Sequence, residues 1–120
     1  MLLGNKTDLI FVCILLLFAI ITTNFANNAG MATIIIPIAL AFQDMYPDVP
    51  MMAVCISIGM MVFVALATPA ASQYCAMLHA QKDKLSFKQI EICALPMCLI
   101  AWLAYSFLGY PLSTILFGGM

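Results

Sequence analysis

Four long apolar stretches alternate with three short polar segments along this chain, and the pattern limits its fold more than any other feature. The apolar stretches are residues 9–21, 29–42, 51–80 and 90–108. Of the 120 residues, 66% are hydrophobic and 8% are charged. A soluble domain is about half apolar and about a quarter charged, and a small one leaves much of its surface in water. The sequence therefore predicts an all-α integral membrane protein.

Charge and cysteine usage exclude several other classes. The formal net charge is −1, so we expect no nucleic-acid partner, which would need a basic patch. The five cysteines match no zinc or redox spacing, and we interpret them as small buried apolar residues. The pattern contains no recognisable nucleophile–base pair or metal cluster, so we expect neither an enzyme nor a cofactor beyond a coupling ion.

The first two apolar stretches are short for a membrane crossing. They have 13 and 14 residues, and each would reach about 20 Å as a helix, whereas the hydrocarbon core is about 30 Å thick. The segment between them, Thr22–Asn28, is rich in hydroxyls and amides. We predict a re-entrant helical hairpin over residues 9–42. The alternative is two short tilted spans joined by a water-exposed external loop.

The third stretch, residues 51–80, is long enough to cross but contains Ala67-Thr68-Pro69. Proline removes a backbone donor and disfavours helix at the residue before it. We predict one discontinuous transmembrane helix, with an unwound turn at 67–69 and a second half starting near Ala70 with Thr68 as its cap. A plain proline kink is the alternative.

The fourth stretch, residues 90–108, predicts one further transmembrane helix, ended by Gly109-Tyr110-Pro111. Lysine placement predicts the orientation, because basic loops stay cytoplasmic. The loop 81–89 carries three lysines, so we expect it on the cytoplasmic side of a cell membrane such as the bacterial inner membrane. The C-terminus is then expected on the outer side. These lysines are Lys82, Lys84 and Lys88.

The two predicted breaks offer groups that can bind an anion and groups that can bind a cation. Half-helices starting near Ala29, with Asn27 and Asn28 as caps, and near Ala70 would direct free N–H groups towards an anion. Half-helices ending at the same breaks would present carbonyl oxygens, which together with the Thr23 hydroxyl suit Na⁺. Since irregular backbone in a membrane must line a cavity or be buried in protein, the pair of breaks predicts a solute site.

The residues at these breaks resemble the divalent anion:sodium symporter family of the ion transporter superfamily. The first part resembles that family's second hairpin tip, a Ser-Asn-Thr signature before an apolar helix with Leu-Pro-Ile; it comprises Thr23–Ala29, Ala32-Thr33 and Ile36-Pro37-Ile38-Ala39. The second part resembles the family's unwound Ala-Thr-Pro turn, at Ala67-Thr68-Pro69. The segment Leu108-Gly109-Tyr110-Pro111-Leu112 is similar to the family's ending.

This resemblance implies sodium-coupled symport of a dicarboxylate, a tricarboxylate such as citrate, or sulfate by an elevator movement. Carried over position by position, the sodium ligands would be Thr23, Asn27, Asn28 and the carbonyls of Ala67 and Pro69. The substrate-binding residues would be Asn28, Thr68 and Ala29. Two positions depart from the signature, which has Ser where this chain has Asn27 and Thr where it has Ala29, so one hydroxyl donor to the anion is lost.

The resemblance also implies a longer protein, because the family has about four times this length. The chain corresponds to the C-terminal part of the transport domain, as a fragment, a split gene product or a truncated form. Its expected partners are the missing N-terminal half, Na⁺, a small anion and lipid, with a homodimer when complete. The alternatives are a small membrane subunit or assembly protein without a solute path, and a related antiporter or arsenite-type permease.

Overall fold

A computed structural model describes residues 6–81 and 83–117, and every regular element among them is a helix. The predicted all-α class is therefore confirmed. Lys82, one of the three lysines behind the predicted orientation, lies outside the described residues. The elements are α1 (Lys6–Thr23), α2 (Asn28–Ala41), α3 (Met51–Met61), α4 (Gln73–Ala80), α5 (Phe87–Ala104), a π-helical turn (Tyr105–Gly109) and α6 (Tyr110–Phe117).

Two helices in the described part of the chain are long and apolar enough to cross a membrane. One is α1, with 18 residues, and the other is the continuous helix Phe87–Phe117, with 31 residues. The helices α2 and α3 are apolar but shorter, with 14 and 11 residues.

Helix α1 is longer than its apolar stretch indicated, and the expected length of about 20 Å was wrong for it. At about 1.5 Å per residue its 18 residues reach about 27 Å. Polar residues extend it at both ends: Asp8 lies in the first turn, where a carboxylate favours the helix dipole, and the Thr22 hydroxyl donates to the Phe18 carbonyl at 2.7 Å. The re-entrant course of the hairpin stays a prediction.

The hydrophobic core surrounds α3, which packs against α1, α2 and α6. The fully buried side chains lie mainly on facing surfaces of α1 and α3 and include Val12, Leu16, Ala19, Val54, Ile58 and Met61. Helix α4 packs instead against α5. The two halves of the third apolar stretch therefore pack against different helices. The chain between them need not continue the axis of α3.

The third stretch is broken as predicted, but the break is longer than the three residues expected. Residues 62–72 contain no regular helix, and we refer to them as the unwound segment. The predicted restart near Ala70 with Thr68 as cap is wrong. Helix α4 begins at Gln73, and its N-cap Ser72 accepts a hydrogen bond from the Cys75 amide at 3.2 Å.

The last helix does not end where the sequence indicated. It passes through Gly109-Tyr110-Pro111 without interruption, so the predicted end at these residues is wrong. The π-helical turn explains this, because Tyr110 N–H donates to the carbonyl of Tyr105, five residues back, and Pro111 follows in the next turn. Glycine fits best there, since a Cβ on Gly109 would lie 2.9 Å from Tyr105 Cδ1 and the ring would have to shift.

Candidate functional site

The polar turn between α1 and α2 docks on the unwound segment, chiefly through Asn24. This side chain is buried, and its Oδ1 accepts from the backbone N–H groups of Leu66 at 3.0 Å and Ala67 at 2.9 Å. Its Nδ2 donates to the Ile20 carbonyl at 2.6 Å. One amide side chain therefore ties the end of α1 to a segment more than forty residues further along the chain.

Hydrogen bonds to the turn take the place of helical bonds in the unwound segment. In an α-helix the N–H groups of residues 66 and 67 would donate to the carbonyls four residues earlier. Here they donate to Asn24, while the carbonyl of Val62 accepts from the Thr23 hydroxyl at 2.9 Å. The Thr68 hydroxyl donates to the backbone carbonyl of Asn24. Buried backbone groups must be paired, and these contacts pair them without a helix.

Two buried thiols lie against the same segment. Cys75 Sγ is 3.1 Å from the carbonyl oxygen of Ala65, and Cys98 Sγ is 3.9 Å from that of Val64. Both side chains are buried, but Cys13 and Cys55 are only partly buried and Cys93 is exposed, so the prediction that the five cysteines are buried holds for two of them. A thiol is a weak donor, so the carbonyls of two consecutive residues have modest partners from α4 and α5.

The Asn28 amide lies among three oxygens where the turn meets the unwound segment. These oxygens are Thr23 Oγ1 and the carbonyl oxygens of Val62 and Ala71, and together with the amide we call them the oxygen cluster. The neighbours of the amide place its nitrogen towards them, 2.8 Å from the Ala71 oxygen, 3.0 Å from Thr23 Oγ1 and 3.1 Å from the Val62 oxygen. The Thr23 hydroxyl donates to the Val62 oxygen at 2.9 Å. Thr23 is fully buried.

A cavity of about 650 Å³ opens beside this cluster, between the start of α2 and the end of the unwound segment. The N-caps of two helices line it. Asn27 caps α2 as predicted, since its Oδ1 accepts from the Ala29 amide at 2.9 Å, and Ser72 caps α4. Among the lining residues described, the rest are mostly small and apolar, and none is charged.

A second cavity, of about 340 Å³, lies between the turn and α5. Asn24, Ala67 and Thr68 line it, together with Glu91 and Trp102 of α5. The hydrogen-bonding groups of Asn24 and Thr68 are engaged in the contacts described above. The wall of this cavity is otherwise apolar, so it offers few free polar contacts to a ligand.

The structure brings some of the predicted site residues together and separates others. Thr23 and Asn28 belong to the oxygen cluster. The first cavity is lined by Asn28 and by three other predicted residues, Asn27, Ala29 and Pro69. Ala67 and Thr68 line the second cavity. The carbonyl oxygens beside Thr23 and Asn28 are those of Val62 and Ala71, whereas the family resemblance implied those of Ala67 and Pro69.

Asn24 was missed as a site residue, although a signal for it exists. It continues a four-residue spacing along α1 that begins with Val12, Leu16 and Ile20, all of which are buried. An amide at the end of a buried stripe has to find hydrogen-bonding partners, because an unpaired one is costly. The two cluster carbonyls have no comparable signal, since any residue carries one.

Comparison of the chain with known protein families, with curated proteins and with solved structures gives no match.

Proposed function

We propose that this chain is part of a secondary active transporter that couples uptake of a small anion, a di- or tricarboxylate or sulfate, to Na⁺ by an elevator movement. The observation that carries the proposal is the oxygen cluster at the junction of two helix breaks. Thr23, Asn28, Val62 and Ala71 contribute to it, and all four belong to this chain. Transporter sites are commonly built in this way, from interrupted helices whose unwound carbonyls hold a cation.

The chemistry of the cluster favours a hard monovalent cation. The Thr23 hydroxyl and the two carbonyl oxygens are ligands that hard cations prefer, the Asn28 side chain adds an oxygen when its amide is turned, and all of these groups are neutral. A divalent ion would leave a larger uncompensated charge in an apolar surrounding, where charge is expensive. Na⁺ is therefore the ion that we propose for this position.

The neighbouring cavity supplies the anion side of the proposal. The starts of α2 and α4 both face it, and helix N-termini favour negative charge. Asn28 has its side chain in the cluster and also lines the cavity. A cation at the cluster would place a positive charge next to the bound anion, and each ion would then stabilise the other. This is the physical basis that we propose for coupling.

One observation favours the alternative of a small membrane subunit without a solute path. The oxygen cluster is satisfied with no ion at all, because the two amide protons of Asn28 and the hydroxyl proton of Thr23 are enough for its three oxygens. In that case the turn and the unwound segment form a structural junction. The long last helix would then serve mainly to bind lipid or a partner protein, since it exposes large apolar side chains such as Ile100, Leu108 and Ile115.

Sodium binding to the full chain in detergent distinguishes these hypotheses. We expect NaCl to raise the thermal unfolding temperature above that in choline chloride at equal ionic strength. Thr23→Val should remove the difference, because it deletes a cluster oxygen while keeping the side-chain volume. Thr22→Val is the matched control, since that hydroxyl bonds only within α1 among the contacts described, and it should keep the wild-type response.

An equal unfolding temperature in both salts for the wild-type chain would contradict the proposal. A second test uses this chain combined with the N-terminal half that the proposal requires, so that the transporter is complete. There Asn28→Ala should abolish sodium-dependent uptake, and uptake at the wild-type level would contradict the proposal. Rapid labelling of Asn27→Cys by a membrane-impermeant reagent, unaffected by Na⁺, would favour the subunit alternative instead.

A further inference from the structure

The second cavity, between the turn and α5, is an apolar groove that contains one charged side chain. Among the lining residues described, only Glu91 carries a charge. The hydrogen-bonding groups of Asn24 and Thr68 in the wall are engaged within the chain. A ligand would therefore meet hydrocarbon along most of the groove and a negative charge at one end of it.

The groove is long and narrow. Along α5 it extends from Glu91 to Trp102, and these eleven residues correspond to about 16 Å at about 1.5 Å per residue. Its volume of about 340 Å³ then gives a mean cross-section of about 20 Å². A helix is about 10 Å or more in diameter and is too wide for such a groove, whereas a single extended hydrocarbon chain is not.

Glu91 lies at the end of α5 that we expect at the membrane surface. The continuous helix Phe87–Phe117 has 31 residues and is about 46 Å long, whereas the hydrocarbon core is about 30 Å thick. Its first turn can therefore lie among the lipid head groups, and Glu91 is four residues from its start. The exposed Lys84 and Lys88 precede Glu91, and basic residues next to a membrane span favour the head-group region.

The rim of the groove exposes large apolar side chains on both sides. Ile21 and Phe25, from the end of α1 and the turn, are 51% and 72% exposed. Leu95 and Leu99, on α5, are 56% and 55% exposed. In a membrane these side chains face lipid, so an acyl chain can enter the groove from the side.

We propose that this groove binds one phospholipid whose head group carries a primary ammonium, as in phosphatidylethanolamine. One acyl chain lies in the groove and covers the contact between the turn and the unwound segment. The ammonium donates a charge-assisted hydrogen bond to the Glu91 carboxylate. Lys88 precedes Glu91 by three residues, which places it on a neighbouring part of the helix surface, and it meets the lipid phosphate. The proposal rests on the membrane location of the chain and does not depend on transport.

Trp102 makes occupation of the groove directly measurable, because it lines the groove and is the only tryptophan of the sequence. The full chain is reconstituted in phosphatidylcholine vesicles that contain a small fraction of lipid with brominated acyl chains, which quench tryptophan fluorescence on contact. The brominated lipid is either phosphatidylethanolamine or phosphatidylcholine. Both are zwitterionic, but only the ethanolamine head group has N–H donors. We expect the ethanolamine lipid to reach half-maximal quenching at an about three- to fivefold lower mole fraction.

The role of the carboxylate is tested by variants of matched size. Glu91→Gln removes the charge and should abolish the preference, whereas Glu91→Asp keeps the charge and should retain it. Asp83→Asn is the control, because Asp83 is an exposed carboxylate of the neighbouring loop and does not line the groove. It should keep the wild-type preference. The comparison of the two lipids needs only the wild-type chain, so it stays decisive if a variant does not fold.

Three outcomes would overturn the proposal. Equal quenching by the two brominated lipids in the wild-type chain would show that the head group is not recognised. A preference that persists in Glu91→Gln would show that the carboxylate does not provide it. Absence of quenching by either lipid would show that protein, such as a second copy of the chain, closes the groove. None of these outcomes concerns sodium binding, so failure of this proposal is distinguishable from failure of the proposed function.

Discussion

The sequence predicts that a helix is interrupted at Ala67-Thr68-Pro69 and that another ends at Gly109-Tyr110-Pro111, and only the first of these segments is unwound. Residues 62–72, which include Pro69, form no regular helix. Around Gly109 and Pro111 the helix Phe87–Phe117 continues without interruption. Pro37 and Pro96 also lie inside helices. Proline by itself therefore does not decide where this chain leaves the helix.

The difference lies in what each segment finds outside itself. The amides of Leu66 and Ala67 have an acceptor on Asn24, and the carbonyl of Val62 has a donor on Thr23. Around Gly109 the π-helical turn keeps the bonds within the helix, as the Tyr110 N–H shows by donating to Tyr105. A buried helix can unwind where another element replaces its hydrogen bonds, and this matters most in a membrane.

The largest effect should come from Asn24→Leu, which keeps the side-chain size but removes the acceptor for two backbone amides, those of Leu66 and Ala67. Each unpaired group costs about 1–3 kcal/mol, so we expect the free energy of unfolding to fall by about 3–5 kcal/mol. Asn24→Gln keeps an amide acceptor and adds only one methylene group, so it should lose less. Unfolding in a denaturing detergent series measures both, and equal stability of the leucine variant and wild type would contradict the comparison.

A smaller loss is expected for Thr23→Val in sodium-free buffer. The Val62 carbonyl loses its donor, at a cost of about 2 kcal/mol. The adjacent Thr22→Val is the control, because Thr22 donates only to carbonyls of its own helix in the contacts described. Thermal unfolding of the pair should separate them, and equal losses would mean that the contact between turn and unwound segment adds little.

In the continuous helix, Gly109→Ala should destabilise by about 1–2 kcal/mol, because the new methyl group meets the Tyr105 ring. Gly59→Ala in α3 meets nothing within 4 Å, and it should stabilise by about 0.5–1 kcal/mol through helix propensity. Opposite signs in unfolding free energy would support the packing assigned to the π-helical turn. Stabilisation by both would contradict it.

The smallest effect should come from Pro69→Ala. If external hydrogen bonds keep residues 62–72 unwound, restoring an N–H at position 69 changes stability by only about 0.5 kcal/mol. The amide exchange pattern of this segment should also stay as in wild type. A gain of helical circular dichroism signal in this variant would show instead that proline causes the break.

The sequence predicted the existence of both breaks and the capping role of Asn27, because these depend on local chemistry. It underestimated α1, since Asp8 and Thr22 are polar but suit helix ends. It misplaced the end of the last helix, because a π-helical turn accommodates Gly109 and Pro111 and leaves no pattern in hydrophobicity.

The site was also predictable in part, where it depends on local residue type. Thr23 and Asn28 could be selected from the polar turn by residue type. The carbonyls of Val62 and Ala71 could not, because their place in the oxygen cluster depends on how eleven unwound residues are held by a turn far away in sequence. Local residue propensities carry no information about tertiary contacts of this kind.

The central claim is that the turn between α1 and α2 holds the unwound segment through Asn24. Backbone hydrogen exchange of Leu66 and Ala67 in the full chain tests it most directly. We predict that both amides are protected in wild type and in Asn24→Gln, although neither lies in a helix, and that both become unprotected in Asn24→Leu. Exchange of these amides in wild type as fast as in the loop at residues 43–50 would contradict the account.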